Sequence, residues 1–221
     1  MATIDIYGTG NCPYVHRTRL VMLEKGIDFQ LTIIDTKNKP DWFLKISPYG
    51  KVPVIKHGEA ILYESAIINE YLNEVFPAKP LLPADAAKRA HARIWIDYCN
   101  TRLIPAIGDL RESKKGAERD KAREELTQRF RFLEKEGLAK LSAKGPYWFG
   151  AEPTLTDVTY YPHIERLAPV EHYCDFQIPD DCTRFKAWYT AICGRASVKQ
   201  TATPASVYIE RFAERFAQAA E

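Results

Sequence analysis

The stretch TIDIYGTGNCPYVHRTRLVMLEKGIDFQLTIID, residues 3–35, predicts a strand, a helix and a second strand in that order. Residues 3–8 are rich in strand-forming side chains, and residues 27–35 repeat that pattern. Pro13 suits the first position of a helix, because the amide hydrogen that proline lacks would have no partner there, and Gly26 is a typical helix stop. Two strands joined through a helix are expected to lie parallel in one sheet.

Further strand and helix patterns follow in the first third of the chain. VPVI at 52–55 and AILY at 60–63 flank His57 and Gly58, which predicts a β-hairpin with a two-residue turn. Residues 65–76 carry apolar side chains on one side of a helix. The order βαβ-ββα predicts an α/β unit with a mixed sheet of about four strands covered by helices.

The remainder of the chain is predicted to be all-helical. Residues 77–85, PAKPLLPAD, indicate a stiff extended linker, so we expect domains at 1–78 and 86–221. The helical patterns are at 86–110, 117–142, 155–168, 181–193 and 206–221. Thr154 and Asp157 have the spacing of a capping box, in which each residue bonds the backbone of the other at the start of a helix.

Composition excludes several classes of protein. A net charge of +2 over 221 residues leaves no basic field for nucleic acid or a membrane surface. We find no secretory signal and no apolar stretch near the roughly 18 residues that span a bilayer. Five widely spaced cysteines argue against a complete disulfide framework and favour a reducing, cytoplasmic setting. His172, Cys174 and Cys182 lack the close spacing of a zinc site, so no metal is expected.

Cys12 is the candidate catalytic residue. Unpaired amide groups and the positive end of the helix dipole favour a thiolate at a helix start, where thiols titrate at about 3.5–7.5. The alternative is a buried, inert cysteine. Val15 stands where a CxxC motif has its second cysteine, so a mixed disulfide at Cys12 would need an external thiol. His16, one turn later, either supports the thiolate or faces solvent, and the pattern favours solvent.

Two further segments suggest a ligand with a peptide backbone and an α-amino acid end. Pro53 has no amide hydrogen for a sheet, which leaves the backbone of Val52 free to pair with an extended ligand. Ser65 is a natural N-cap at a helix start that attracts a carboxylate, and Glu64 beside it is suited to an ammonium group.

Together these motifs resemble the glutathione transferases, and most of all their omega-like, cysteine-dependent class. The resemblance covers nearly the whole chain and is carried by CPYVHRTRL (12–20), KNKPDWF (37–43), PYGKVPVI (48–55), LYESAII (62–68), LLPAD (81–85) and DVTYYPHIERL (157–167). It implies a thioredoxin-like domain followed by a helical bundle, assembled as a homodimer.

The resemblance also implies roles for individual residues. Cys12 would form a mixed disulfide with glutathione, the co-substrate. The glycine carboxylate of glutathione would lie near Lys39, its cysteinyl part against the backbone of Val52 before a cis Pro53. Its γ-glutamyl end would be held at Glu64 and Ser65.

The second substrate would be a small electrophile, disulfide or thioether. Tyr98, Arg102 and Tyr208 are candidates for its pocket, although packing in the core or at the surface is an alternative for each.

The favoured function is a glutathione-dependent thiol transferase or reductase, in which Cys12 removes glutathione from a glutathionylated substrate or a thioether, or reduces a small oxidant such as dehydroascorbate. One alternative is conjugation, in which Tyr7 near the end of the first strand would stabilise the glutathione thiolate. Another is a non-enzymatic interaction protein on the same scaffold, which the presence of Cys12 and the other glutathione-site residues disfavours.

Overall fold

The computed structural model describes residues 4–218 and divides the chain into two compact units at the Leu82–Pro83 bond. That boundary lies inside the proline-rich segment 77–85. Thr3 of the predicted first strand and residues 219–221 of the predicted last helix lie outside the described residues.

The first unit contains a four-stranded mixed sheet with three helices, which confirms the predicted α/β arrangement. Its elements are β1 (Ile4–Gly8), α1 (Pro13–Lys25), β2 (Phe29–Ile33), α2 (Asp41–Ile46), β3 (Val54–His57), β4 (Ala60–Tyr63) and α3 (Ser65–Val75). The strand order is β2-β1-β3-β4, with β1 parallel to β2, and β3 antiparallel to both β1 and β4. The parallel pair is the one joined through α1, as the βαβ pattern predicted.

Two details of this unit differ from the prediction. His57 belongs to β3 and pairs with Ala60, so the turn consists of Gly58 and Glu59. The turn is shifted because Gly58, at φ 60°, takes its first position, where a left-handed conformation favours glycine. The short helix α2 was not predicted. It buries only Phe43, which is too few apolar positions for a helical period to be recognised.

The second unit is helical, as predicted. Its helices are α4 (Ala86–Tyr98), α5 (Ile104–Glu112), α6 (Ala117–Phe132), α7 (Ala139–Leu141), α8 (Leu155–Glu165), α9 (Ala168–Cys174), α10 (Thr183–Cys193), α11 (Ala196–Thr201) and α12 (Ala205–Gln218). The two long predicted helices are each interrupted by a π-helical segment, Cys99–Leu103 and Leu133–Leu138. Gly137 lies in the second segment, where a Cβ would come within 2.7 Å of the Trp148 ring.

The predicted capping box is confirmed at the start of α8. The Thr154 amide donates to Asp157 Oδ2 at 2.6 Å, and Oδ1 of the same carboxylate accepts from the Trp148 amide and from Trp188 Nε1. Burial raises the pKa of Asp157, and these hydrogen bonds oppose the shift. The carboxylate therefore joins the start of α8 to the segment before it and to α10.

Within residues 4–218, none of the helices combines the length and apolar character needed to cross a membrane.

Candidate active site at one end of the sheet

Four strand ends meet at one edge of the sheet in the first unit. Gly8 at the end of β1 lies beside Ile33 at the end of β2, because these strands are parallel. Tyr7 pairs with Val54, the first residue of β3, and Val54 pairs with Tyr63, the last residue of β4. The segments that leave or enter the sheet at this edge therefore lie together.

The residues predicted to hold glutathione all lie on these segments. They are Cys12 after β1, Lys39 after β2, Val52 and Pro53 before β3, and Glu64 and Ser65 after β4. Both α1 and α3 begin at the same edge, so their amide-rich N-termini are also placed there. The arrangement provides a thiol, a cation and two anion-attracting helix ends.

Cys12 is the N-cap of α1, and Pro13 occupies the first turn as predicted. The Cys12 backbone is extended, with φ −74° and ψ 122°, and its side chain is half-buried. Its Sγ lies 3.9 Å from the backbone oxygen of Val52. The thiol is thus placed between a helix N-terminus and the loop that leads into β3. Its reactivity stays a prediction.

Thr9 contributes a contact that the sequence analysis did not anticipate. The Cys12 amide donates to Thr9 Oγ1 at 3.2 Å and lies 3.4 Å from the Thr9 backbone oxygen. The sequence could have indicated this contact, because Thr9 stands three residues before the N-cap and threonine hydroxyls often bond nearby backbone amides in turns.

Gly8 explains how α1 begins so close to the sheet. A Cβ at this position would lie 2.5 Å from Cγ2 of Val15, which is fully buried. Val15 also occupies the position of the missing second cysteine. The two residues fix the first turn of α1 against the end of β1.

His16 is 2% exposed, so the favoured prediction that it faces solvent was wrong. The side of α1 that carries it packs into the protein, together with Arg17. The Arg17 guanidinium lies 5.0 Å from the centre of the Tyr14 ring, a cation–π contact on a partly exposed aromatic residue.

The Val52–Pro53 peptide bond is cis, as the resemblance implied. Lys39 lies close to the segment before it, since its Nζ is 3.6 Å from the point that a Cβ of Gly50 would occupy. Gly50 has φ 59°, a conformation that favours glycine. The backbone of this loop thus lets the Lys39 ammonium group approach.

Glu64 departs from ordinary backbone geometry. It has φ 69° and ψ 107° and is the N-cap of α3, whereas Ser65 is the first helical residue, so the prediction of Ser65 as N-cap was wrong. A non-glycine residue in such a conformation costs about 1–3 kcal/mol and is often associated with function. Glu64 is exposed, whereas Ser65 is buried at the first turn.

Tyr7 has a different environment from Cys12. It packs against the cluster of Ile34, Phe43 and Val54, with its ring edge-on to Trp42 at 5.5 Å. Burial, and secondarily the charge of Asp5, raise the pKa of Tyr7, which keeps its phenol in the protonated form. The alternative in which Tyr7 stabilises a glutathione thiolate stays a prediction.

The three candidates for the second-substrate pocket lie in the second unit and differ from one another. Tyr98 is half-buried, stacks on Phe132 at 5.3 Å and donates its hydroxyl to the backbone oxygen of Arg129. Arg102 is exposed on a π-helical segment. Tyr208 is 2% exposed, and its hydroxyl donates to Glu165 Oε2 at 2.7 Å, so it packs in the core.

Comparison with known proteins agrees with this fold. Residues 11–75 match the family model described as the glutathione S-transferase N-terminal domain, and residues 116–191 match the glutathione S-transferase C-terminal domain. The chain belongs to the glutathione S-transferase family, with the thioredoxin-like and helical domains of that fold. Glutathione is the co-substrate of this family.

Within the family the chain is similar to the omega class, as its motifs indicated. It is 34% identical to glutathione S-transferase omega-1 of the pig, over 86% of this chain and 76% of the relative. It is 30% identical to a probable cytosolic glutathione S-transferase DHAR1 of rice, over 87% of this chain and 84% of the relative. The structure of rice GST1 in complex with glutathione superposes with a TM-score of 0.88 at 27% identity, covering 98% of this chain and 97% of that one.

Proposed function

We propose that this protein is a glutathione-dependent thiol transferase in which Cys12 forms a mixed disulfide with glutathione. The observation that supports it most directly is the position of Cys12 Sγ at the start of α1, 3.9 Å from the Val52 oxygen. The other four cysteines, at positions 99, 174, 182 and 193, belong to the second unit. Cys12 is therefore the only thiol of the first unit.

The segments that meet at this end of the sheet suit the three parts of glutathione. The Val52 backbone pairs with the cysteinyl part of the tripeptide, in the manner of an added strand. Lys39 attracts the glycine carboxylate by charge. The N-terminus of α3 at Ser65 binds the γ-glutamyl carboxylate, and Glu64 pairs with its ammonium group.

The reaction consists of two thiol–disulfide exchanges. The Cys12 thiolate attacks the glutathione sulfur of a glutathionylated substrate. The bond between Cys12 and glutathione forms, and the substrate leaves as a thiolate. A second glutathione thiolate then attacks the mixed disulfide, which releases oxidised glutathione and regenerates the Cys12 thiolate. Because Val15 replaces a resolving cysteine, the second step depends on free glutathione.

The second substrate is a small disulfide, thioether or electrophile. Arg102 is exposed and Tyr98 half-buried, so both remain candidates for its pocket, whereas Tyr208 is committed to Glu165. We further propose a cytoplasmic homodimer that uses neither nucleic acid nor a membrane. The reducing setting expected from the cysteines and the cytosolic rice relative support the location.

Intact mass after incubation with oxidised glutathione tests this function. Wild type is expected to gain one glutathionyl group that reduced glutathione removes, and Cys12→Ser is expected to gain none. Cys193→Ser is the matched control, because burial raises the pKa of that half-buried thiol and makes it slow to react. An adduct that persists in Cys12→Ser, or its absence from wild type, would contradict the proposal.

Turnover with a glutathionylated peptide then separates thiol transfer from conjugation. Cys12→Ser should abolish release of the peptide thiol, whereas Tyr7→Phe should retain it. The reverse result, together with unchanged conjugation of an aryl halide by Cys12→Ser, would assign the chemistry to Tyr7.

A further inference from the structure

Thr9 closes the turn that places Cys12. The Cys12 amide donates to Thr9 Oγ1 at 3.2 Å, and its contact with the Thr9 backbone oxygen is longer, at 3.4 Å. The two residues between them, Gly10 and Asn11, are exposed, and a Cβ at Gly10 would have no neighbour within 4 Å. Packing around Gly10 therefore does not hold the turn, and the Thr9 side chain supplies its shorter hydrogen bond.

The backbone of Cys12 decides where its sulfur lies. With φ −74° and ψ 122°, Cys12 has the extended geometry of an N-cap, which places its side chain at the amide-rich start of α1, where Sγ lies 3.9 Å from the Val52 oxygen. Pro13 has no amide hydrogen, so the first-turn amides that can stabilise a thiolate at Cys12 are those of Tyr14 and Val15. Their alignment with a thiolate depends on the Cys12 dihedral angles.

We infer that Thr9 is a positioning residue whose hydroxyl oxygen, by holding the Cys12 amide, keeps the sulfur aligned with the start of α1. This role rests on the proposed function, because it concerns the reactivity of Cys12. Thr9 does not touch glutathione or the reacting sulfur in this role. It acts through the amide of Cys12.

Loss of the hydroxyl has a defined consequence. The Cys12 amide would keep the longer 3.4 Å contact to the Thr9 backbone oxygen, and the turn would populate other conformations. The thiolate would then spend less time aligned with the helix amides, so the thiol would ionise at higher pH. One hydrogen bond corresponds to a fall of about 2- to 10-fold in thiolate at neutral pH.

The rate at which iodoacetamide alkylates Cys12, measured against pH, tests the inference. The Cys12 peptide is followed by mass spectrometry, so the other cysteines do not contribute. Thr9→Val keeps the branched shape and removes the acceptor, whereas Thr9→Ser keeps the acceptor. We expect Thr9→Val to raise the pH midpoint and lower the rate at pH 7 by about 2- to 10-fold, and Thr9→Ser to match wild type.

An unchanged midpoint in Thr9→Val, or an equal shift in Thr9→Ser, would overturn the inference. Thermal melting establishes that each variant is folded, and Thr9→Ala replaces Thr9→Val if the valine variant does not fold. Alkylation needs no glutathione, so a failure of this inference can be distinguished from a failure of the proposed function. A wild-type protein that alkylates as expected but gains no glutathionyl group would refute the function and leave the role of Thr9 intact.

Discussion

The sulfur of Cys12 lies 3.9 Å from the backbone carbonyl oxygen of Val52, 40 residues later in the chain. The contact joins the N-terminus of α1 to the loop before the cis Pro53. It arises because β3 enters the sheet at the edge where β1 ends. The Cys12 thiol and the backbone of Val52, which can pair with an extended peptide, are thereby held next to each other.

Replacing Glu64 by glycine is expected to separate stability from function. Glycine adopts φ 69° without strain, so the free energy of unfolding should be maintained or rise by up to about 1 kcal/mol. The Michaelis constant for glutathione should rise at least about tenfold, because the variant lacks the carboxylate that we propose to pair with the ammonium group of glutathione. Lys79→Gly is the control. Lys79 also has positive φ, at 58°, and should keep wild-type kinetics. A marked loss of stability in Glu64→Gly would contradict the conclusion that the Glu64 backbone is strained.

Gly8→Ala is expected to displace the first turn of α1. The new methyl group would lie 2.5 Å from a Val15 methyl group, and overpacking of this kind costs about 1–3 kcal/mol. Chemical denaturation should show that loss, and the rate of glutathionylation of Cys12 should fall with it. Combining the change with Val15→Ala should recover part of the loss, since the clashing group is gone. Gly10→Ala meets no atom within 4 Å and should be neutral.

Thr18→Val is expected to stabilise the protein. Thr18 is fully buried on α1, and among the described residues its hydroxyl has no hydrogen-bond partner. Removing an unsatisfied buried hydroxyl while keeping the shape should raise the free energy of unfolding by about 1 kcal/mol. The matched change Thr159→Val should lower it, because the Thr159 hydroxyl donates to the Leu155 oxygen at 2.6 Å. Urea unfolding measures both, and a less stable Thr18→Val would reveal a partner for that hydroxyl.

Tyr208→Phe is expected to change both the stability and its dependence on alkaline pH. Loss of the hydrogen bond to Glu165 should cost about 2 kcal/mol at pH 7. Burial raises the pKa of Tyr208 from 10.0 to about 12. The protonated phenol therefore stabilises the folded state fully below pH 10, and this contribution is lost as the pH rises through about 12.

Urea unfolding at several pH values between 7 and 12 checks this prediction. The difference in unfolding free energy between wild type and Tyr208→Phe should shrink above pH 10. Tyr49→Phe, at a residue that is 62% exposed, should match wild type at pH 7. A difference in unfolding free energy that stays constant with pH would contradict the conclusion that the buried Tyr208 hydroxyl titrates with a raised pKa.

Local features of the active site were predictable from neighbouring residues. The alternation of residues 3–8, Pro13 and Gly26 predicted α1 with Cys12 at its start, and both ends of the helix are as predicted. The Thr154–Asp157 capping box was equally predictable. Dihedral preferences, capping and hydrophobic period act over a few residues, so they can be recognised in the sequence.

Other features depend on neighbours that are distant in the chain. The burial of His16 follows from what packs against α1, and the burial of Tyr208 follows from Glu165, 43 residues away. The π-helical segments follow no local signal, and one of them contains Gly137, which lies against Trp148. The sequence pattern was compatible with more than one environment for each of these residues, and packing against distant residues determined which one occurs.

The amino-acid sequence was enough to show that a thiol stands at a helix start and that Val15 occupies the place of a second thiol. Its resemblance to a family pointed to Lys39, Val52 and Glu64. Only the tertiary structure brought those segments to Cys12, through the antiparallel pairing of β3 with β1 and β4. Only the tertiary structure, too, gave Glu64 its strained conformation. The physical reason is that pairing between distant strands sets which loops meet, whereas local preferences set only what each loop contains.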